Sequence, residues 1–389
     1  MQRLKIILLA SLLICVTVLT IACGADGYTG GTATSILDSG DPEYEAQTIR
    51  IEGILELGGG IAEISIAELR TLPQHELDAH YVRTTGRSEE FHMVGPLLSD
   101  IIAFLGGNLD DYAGLAIIGR DGYFFLFSRE VLDATPELMI AVTVDGEPRL
   151  GPDSAPARAG VPGQFGPYWV RMIESIVLYE YIPQKEITSV WVFSALTEGI
   201  EPVDFEYFGS LDSAIPLDQV FSRFEHVDSR AFFTMKAADG FMRDEAISLI
   251  LVGRHYMKID GVDAPTNVSP RLMMGMNVRD IAWISTNADA AVFPYMMLGY
   301  LDTQKVHGQV GVPIDEVLFA AGLRTVRAAE FDFIGTAGER VRVSGEVLNR
   351  AILVPHENKP NSGGSLIWLD DYGYPNIDDL LRIRLVEGG

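Results

Sequence analysis

Three arginines in the first half of the chain have the chemistry to bind an anionic group. Arg83, Arg149 and Arg158 each carry a guanidinium group, whose donors form a fixed fork that matches phosphate or carboxylate. Arg271 repeats Arg149 further along, because both lie in a Pro-Arg-Leu triplet. The alternative is that these arginines bond to loop carbonyl groups or pair with the abundant acidic side chains.

Asp121, Asp239 and Trp169 are further candidates for ligand contacts. Asp121 and Asp239 each precede a glycine and an aromatic residue, and an aspartate in that position more often serves the turn itself than a ligand. Trp169 could stack on a ring-shaped ligand. It lies beside an apolar strand pattern, as do the other three tryptophans, so the core of a domain is the alternative for its side chain.

Patterns for metal or nucleophilic chemistry are weak in this sequence. The seven histidines form no HxxxH or HxH pair, and His75, His80 and His92 support only a weak metal hypothesis. Adjacent acids such as Asp110 and Asp111 occur without the spacing of a calcium loop. The sequence has no Gly-x-Ser-x-Gly elbow and no P-loop. We therefore predict no metal site and assign no catalytic residue.

These candidates must be positioned by elements that recur along the chain. An apolar stripe with helical spacing follows a proline three times, which predicts three amphipathic helices. The stripes consist of Leu98, Ile101, Ile102 and Leu105, then of Leu217, Val220, Phe221 and Phe224, and then of Ile314, Val317, Leu318 and Ala321. Glycines are expected to end the first and third helices, at Gly106 and Gly322.

A second recurring pattern closes each unit. The phrases "PYWVRMIESI", "MNVRDIAWIS" and "PNIDDLLRIR" have similar apolar spacing and predict a strand. Helix, hairpin strands, a Gly/Pro-rich connection and this strand therefore form a unit of roughly one hundred residues, repeated with drift. We predict a mixed α/β (α+β) fold of three modules, which we call module one (47–183), module two (184–290) and module three (291–389, the most eroded).

The N-terminal segment resembles a bacterial lipoprotein signal. Arg3 and Lys5 precede an uncharged run that ends in "LTIAC" at Cys23. We expect residues 1–22 to be a signal peptide, Cys23 to be lipidated and 23–46 to be a flexible tether. The chain would then be extracytoplasmic, anchored to the cell envelope through its lipid. An uncleaved membrane anchor is the alternative.

The charge of the chain restricts its partners. The sequence has 54 acidic against 29 basic residues, a formal net charge of −25. A field of this sign argues against nucleic acid and anionic lipid head groups as partners. It favours cations, basic partners or simply solubility, so we expect a small-molecule ligand or an envelope protein as partner.

Five segments of module one follow one another in a characteristic order and spacing: "SIAELRTLPQHE", "VGPLLSDIIAFLG", "GRDGYFFLF", "VDGEPRLGPDSAPARAGVPG" and "GPYWVRMIESIVL". Through them, about residues 49–180 resemble the molybdopterin-binding domain of the sulfite oxidase type. This resemblance implies a sulfite oxidase-like fold, with Arg83, Arg149 and Arg158 on the side that holds the cofactor.

The residue that the family's chemistry needs most is absent. In that family a cysteine thiolate between the first two segments ligates molybdenum, and the corresponding interval "QHELDAHYVRTTGRSEEFHMVG" contains no cysteine. "MQRLK" also lacks the twin arginines with which folded cofactor proteins are usually exported. We therefore expect a non-catalytic protein that binds a ligand or partner and holds no cofactor. The alternatives are a molybdopterin-dependent oxidoreductase with a non-cysteine ligand and an envelope spacer.

Overall fold

The computed structural model describes residues 38–82, 88–164, 166–252, 254–272, 277–324, 326–369 and 373–386. Helices and strands are mixed throughout this part, which confirms the predicted α+β class. The elements of module one, with one short helix before it, are α1 (Pro42–Glu45), β1 (Thr48–Ile54), β2 (Gly60–Ser65), α2 (Ile66–Thr71), β3 (His75–Val82), β4 (Ser88–Gly95), α3 (Leu98–Phe104), β5 (Gly114–Gly119), β6 (Phe124–Ser128), α4 (Arg129–Ala134), β7 (Met139–Ala141), β8 (Thr143–Val144), β9 (Arg158–Gly160) and β10 (Ile173–Tyr179).

Modules two and three follow a similar order of elements, without counterparts of β2 and β8 and with a 3-10 helix (Gly345–Arg350) in place of the third α-helix of module three. Module two contains β11 (Ser189–Val192), α5 (Phe193–Leu196), β12 (Val203–Tyr207), β13 (Ser210–Pro216), α6 (Leu217–Phe221), β14 (Phe232–Ala237), β15 (Met242–Ala246), α7 (Ile247–Val252), β16 (Tyr256–Lys258), β17 (Thr266–Val268) and β18 (Ile281–Ser285). There follow β19 (Asp289–Val292), α8 (Pro294–Tyr300), β20 (Gln304–Val306), β21 (Gln309–Pro313), α9 (Ile314–Ala320), β22 (Glu330–Gly335), β23 (Arg340–Ser344), β24 (Ala351–Pro355), β25 (Gly364–Trp368) and β26 (Leu380–Val386).

The three predicted amphipathic helices are confirmed as α3, α6 and α9. Each is short, and the stripe residues within it are buried against the core of its module. Gly106 and Gly322 follow α3 and α9 with φ of +90° and +112°. This is the left-handed conformation that glycine adopts without a steric penalty after a helix.

Equivalent backbone hydrogen bonds show how the three units correspond. One bond fixes the residue after the first strand of each hairpin (β5, β14 and β22): Arg120 N donates to Met172 O (2.8 Å), Ala238 N to Asp280 O (2.8 Å) and Thr336 N to Asp379 O (2.9 Å). A second bond ties the last short strand to the segment before the closing strand: Ala159 N donates to Val170 O (2.8 Å), Asn267 N to Val278 O (3.0 Å) and Leu366 N to Ile377 O (2.8 Å). These bonds allow positions to be compared between modules.

The sheet of module one is its own, but modules two and three share one. Module one has a five-stranded sheet in the order β2-β1-β10-β5-β6. An eight-stranded sheet in the order β15-β14-β18-β19-β11-β26-β22-β23 runs through the other two. At its centre β11 pairs with β19 in parallel and with β26 in antiparallel orientation. The predicted boundary between residues 290 and 291 falls inside β19.

Module one packs its sheet against module two. Ala116, Ile118 and Val177 on one face of that sheet meet Phe232, Ala246 and Leu249 of module two. Phe124 stacks on Phe232 with 5.5 Å between the ring centroids. The apolar side chains at this interface are buried, and burial of one large side chain stabilises the fold by about 2 kcal/mol. Among the described residues, no helix is long and apolar enough to cross a membrane.

Candidate functional site

The candidate arginines have different neighbours. Arg83 lies outside the described residues. Arg149 is exposed, pairs with Asp41 at 2.8 Å and lies over the ring of Tyr44. Arg158 is buried in β9, with its guanidinium carbon 4.4 Å from the centroid of the Phe91 ring. Arg149 and Arg158 therefore face different surroundings.

Arg271 is not the equivalent of Arg149, and this prediction was wrong. Arg149 precedes the short strand β9 of module one, whereas Arg271 follows the equivalent strand β17 of module two. The Pro-Arg-Leu triplets are identical in sequence but not equivalent in structure, because they lie on opposite sides of corresponding strands. Arg271 lies 3.7 Å from Glu174 in module one.

Asp121, Asp239 and Trp169 have local roles in the structure. The carboxylates of Asp121 and Asp239 accept hydrogen bonds from the backbone amides of Tyr123 (3.0 Å) and Phe241 (2.9 Å). This is the arrangement of an aspartate that stabilises a turn. Trp169 is buried in the core of module one, where Nε1 donates to the carbonyl of Gln164 at 3.1 Å.

Asp121 and Arg271 lie near a buried polar cluster of module two. Glu245 is fully buried, with Oε1 2.6 Å from the guanidinium of Arg243. Burial raises the pKa of Glu245 to about 7, and the charge of Asp121 adds to this increase. Burial lowers the pKa of His255 to about 4, an effect that the positive charge of Arg271 reinforces. The cluster occupies positions that are apolar in module one, since Leu138 is equivalent to His255 by the carbonyl hydrogen bond that each makes.

The interval where the related family carries its cysteine is a β-hairpin. β3 and β4 pair along their length, and His92 lies directly across from Asp78, with Nδ1 2.7 Å from the carboxylate. His75 pairs with a different acid, Asp100, at 3.0 Å. Within the described ranges, no group of three metal-ligating side chains comes together.

These residues do not fit the cofactor that the resemblance implies. The hairpin and its flanks offer no thiolate, since the sequence has only Cys15 and Cys23. Arg149 pairs with Asp41, whereas Arg158 lies over the ring of Phe91. No step of any mechanism is therefore assigned to such a group.

A small cavity of about 360 Å³ lies on module one, at the N-terminal edge of the described chain. Its charged wall residue Arg70 is already surrounded by acceptors: Nε donates to Glu45 at 3.1 Å, and Nη2 to the carbonyl of Val142 at 3.1 Å. Nη1 donates to Thr143 Oγ1 at 3.1 Å. The guanidinium group is thus committed to the protein, and this cavity offers little for a ligand.

A larger cavity of about 580 Å³ lies between modules two and three, which we call the seam cavity. One wall is Ile259–Gly261, in the turn after β16. The other wall is formed by His356, Glu357 and Lys359–Gly363, in the loop after β24. These are equivalent loops of the two modules, since one joins β16 to β17 and the other joins β24 to β25. The volume is in the range of pockets for small molecules.

The module-two wall is held by Lys258. Its side chain is fully buried, yet Nζ lies 3.0 Å from Asp212 and donates to the carbonyls of Asp260 (2.7 Å) and Val262. An ammonium group has three protons, and three acceptors surround it here. Gly261 follows with φ of +73°, and a Cβ there would lie 2.7 Å from the Asp212 carboxylate. The turn is therefore fixed against the sheet.

The ionisable side chains of the seam cavity have partners within the protein. Lys359 pairs with Glu357 at 2.5 Å, and Asp260 Oδ1 accepts from the amide of Ser213 at 2.7 Å. His356 Nδ1 lies 3.5 Å from the Asp379 carboxylate. The wall thus presents no isolated charge to a ligand.

His356, Ser365 and Asp379 resemble a catalytic triad in composition, but their hydrogen bonds differ from one. His356 Nε2 lies 3.0 Å from Ser365 Oγ and 2.7 Å from the carbonyl oxygen of Asp378. Ser365 Oγ donates to the same carbonyl at 2.6 Å. A hydroxyl has one proton, and the serine directs it at the backbone rather than at the imidazole, where a general base would receive it.

Two polar side chains of the seam cavity have buried atoms without a hydrogen-bond partner among the described residues. They are Asn361 Oδ1 and Ser362 Oγ, and the Ser362 residue is only 8% exposed. Buried polar atoms nearly always have a hydrogen-bond partner, so these two unpartnered atoms need an explanation. No sequence motif marks this site. Its only signal is the Asn/Gly/Pro-rich stretch around residues 357–364.

Comparison with known proteins places few constraints on the chain. No protein-family model matches it, and no curated protein matches it. Among solved structures it is similar to the sulfane dehydrogenase SoxCD from Paracoccus pantotrophus, with a TM-score of 0.32 and 14% sequence identity over 89% of this chain and 68% of that chain. A likeness this distant assigns no family.

Proposed function

We propose that this protein is a lipid-anchored, extracytoplasmic binding protein with a sulfite oxidase-like fold, and that it binds a neutral polar small molecule in the seam cavity without catalysis. The lipid would be attached at Cys23, with residues 1–22 removed as a signal peptide. Modules one to three would supply the scaffold, and the facing loops of modules two and three the site.

The observation that carries this proposal is the pair of unpartnered atoms in the cavity wall. Asn361 Oδ1 accepts hydrogen bonds, and Ser362 Oγ both donates and accepts. The ionisable neighbours are already paired, so an uncharged ligand with hydroxyl or amide groups suits the wall better than an ion. Ile259 and Pro360 add apolar surface. A saccharide or another polyol combines these features.

The absence of catalysis is proposed from the hydrogen bonds of His356. A serine nucleophile has to pass its proton to the imidazole. Ser365 gives its proton to the Asp378 carbonyl, and His356 Nε2 lies within bonding distance of that same oxygen. This arrangement suits a rigid wall rather than an activated nucleophile.

The ligand hypothesis is tested by a thermal-shift screen of neutral saccharides and polyols, followed by calorimetric titration of those that stabilise the protein. In each of the variants Asn361→Leu and Ser362→Ala we expect the affinity for the stabilising compound to fall about tenfold, since each variant loses a hydrogen-bonding group. Ser175→Ala is the matched control, because this serine is also buried with an unpartnered hydroxyl but lies in the sheet of module one. Affinity unchanged in both test variants, or no stabilising compound in the screen, would contradict the proposal.

Anchoring and the cofactor are tested separately. Metabolic labelling with radioactive palmitate should mark the wild-type protein and not Cys23→Ser. Elemental analysis of protein isolated from its native envelope should find no stoichiometric molybdenum. Bound molybdenum would favour the alternative function, a molybdopterin-dependent oxidoreductase with a non-cysteine ligand.

A further inference from the structure

Strand β12 of module two is the outer strand of its sheet. The four-stranded sheet has the order β12-β13-β16-β17, and β12 pairs with β13 over Val203–Tyr207. In the part of the chain that the structure describes, no backbone bond joins this strand to any other element. An outer strand of five residues leaves backbone donors and acceptors available for a further strand.

The side chains of β12 alternate between two faces. Val203, Phe205 and Tyr207 share one face, and Tyr207 is buried there beneath the Lys258 ammonium. Asp204 and Glu206 point to the other face and are exposed. Leu211 of β13 lies directly across from Glu206 and is 72% exposed.

The chain segment that contains this strand carries charge of one sign, although Lys258 and Arg279 from other segments lie over the rings of Tyr207 and Phe208. From Glu186 to Ser222 the sequence contains no lysine or arginine, while it contains Glu198, Glu201, Asp204, Glu206, Asp212 and Asp218. Two strands with this composition would repel each other, which disfavours pairing between two copies of the protein. A strand with basic side chains would instead be attracted.

The tip of the β12–β13 hairpin carries an exposed aromatic residue in an unfavourable conformation. Phe208 has φ of +49° and is 62% exposed. This left-handed region suits glycine or asparagine, and a bulky residue there is uncommon. The equivalent turn of module three has His307 at φ of +49°, which shows that the backbone is a feature of the hairpin and the exposed phenyl ring a feature of module two. The ring packs on Tyr207, with 4.6 Å between the ring centroids, and so adds apolar surface at the end of β12.

We propose that β12 binds an extended segment of a partner protein by strand addition, and that this segment alternates basic and apolar residues. Strand addition supplies the backbone bonds, while the alternation follows from the two faces. Basic side chains would lie beside Asp204 and Glu206, and apolar side chains beside Val203 and Phe205. This site is separate from the seam cavity and does not depend on the ligand proposed for it.

The test uses fluorescence anisotropy with labelled hexapeptides. A peptide of alternating lysine and valine should bind the wild-type protein, and a peptide of alternating glutamate and valine should not. In the double variant Asp204→Lys/Glu206→Lys we expect the lysine peptide to lose about tenfold or more in affinity and the glutamate peptide to gain binding. The gain keeps the test informative, since a misfolded variant would not acquire that preference.

The control variant Asp110→Lys/Asp111→Lys changes the net charge by the same amount at an exposed site in module one. Equal loss in both double variants would show that general charge attraction causes the binding, and would overturn the proposal. A lysine–valine peptide that is N-methylated at every backbone nitrogen keeps its charge but lacks backbone N–H donors, and should bind at least tenfold more weakly. Equal affinity of the methylated peptide would overturn strand addition, as would lack of binding by the unmethylated one.

Discussion

The ammonium group of Lys258 lies 3.0 Å from the carboxylate of Asp212, and both side chains are buried beneath the turn that forms one wall of the seam cavity. An ion pair in this environment is stable only because hydrogen bonds also satisfy the remaining protons. The carbonyls of Asp260 and Val262 accept those bonds. The pair therefore connects the sheet of module two to the site.

Lys258→Met should destabilise the protein by about 3–5 kcal/mol, because it leaves the Asp212 carboxylate buried without its cation. The measurement is the free energy of unfolding in urea, read by circular dichroism. The double variant Asp212→Leu/Lys258→Met should recover part of this loss. A single variant as stable as wild type, or a double variant no better than the single one, would contradict the assignment.

Gly261→Ala should lower the free energy of unfolding by about 2–4 kcal/mol, whereas Gly209→Ala should lower it by only about 1 kcal/mol. Both glycines have positive φ, +73° and +82°, so both substitutions strain the backbone. A Cβ at Gly261 also collides with the Asp212 carboxylate, while a Cβ at Gly209 meets no atom within 4 Å. Urea titration gives the free energy of unfolding of each variant, and the difference between the two variants is the contribution of the steric collision. Equal costs would mean that the turn moves freely.

The lowered pKa of Asp332 predicts that the protein loses stability in acid. Hydrogen bonds from Arg340 and then from Arg342 hold the pKa of Asp332 at about 2, although its burial opposes this. The folded-state pKa lies below that of the unfolded chain, so the stabilisation is present above about pH 4 and is lost as the pH falls through about 2.

Asp332→Asn should therefore be less stable than wild type at pH 7 by about 1–2 kcal/mol, a value reduced by the exposure of both arginines. The difference should disappear near pH 2 in urea titrations at a series of pH values. Asp133→Asn, which breaks an exposed pair with Arg129, is the control and should change little. A pH-independent difference would show that the carboxylate charge is not responsible.

The burial of His255 predicts a second loss of stability on acidification, in a less acidic range than that of Asp332. Burial lowers its pKa from the ordinary 6.5 to about 4, so between these values the unfolded chain binds a proton that the folded protein does not. Stability attributable to His255 should therefore fall as the pH decreases from 6.5 to 4. Glu245 acts in the opposite direction, because its raised pKa favours the folded state as the pH falls from about 7.

His255→Leu introduces the residue that module one has at the equivalent position. The stability difference between this variant and wild type should change by up to about 3 kcal/mol between pH 7 and pH 4, in favour of the variant at low pH. The same comparison in a Glu245→Gln background isolates the histidine. If the two proteins lose stability in parallel across this range, the histidine is not buried in its neutral form.

The helices of the fold could be predicted from the sequence because their signal is local. Leu98, Ile101 and Ile102 fall on one face of α3 by spacing alone, and the same holds for α6 and α9. The predicted equivalence of Arg149 and Arg271 was wrong, since a three-residue match does not show on which side of a strand it lies. Backbone hydrogen bonds were needed to correct it.

The seam cavity could not be predicted because its two walls come from segments that are far apart in the chain. His356 was an isolated histidine in the sequence, and nothing local indicated that its loop faces Gly261. Lys258 likewise gave no signal, since a lysine is normally exposed and only the fold shows three acceptors around it. The candidates that were chosen from the sequence, Asp121 and Trp169 among them, have local structural contacts instead.

The pairing of β11 with both β19 and β26 affects the order in which the protein can assemble during its synthesis. Module one completes its sheet from its own strands, so it can fold while the remainder of the polypeptide is still being made. The opening strand of module two has to wait for Leu380–Val386, which the ribosome adds much later. Until then the edge of β11 that pairs with β26 stays uncovered, so the shared sheet of the two later modules depends on contacts between distant residues, which form slowly.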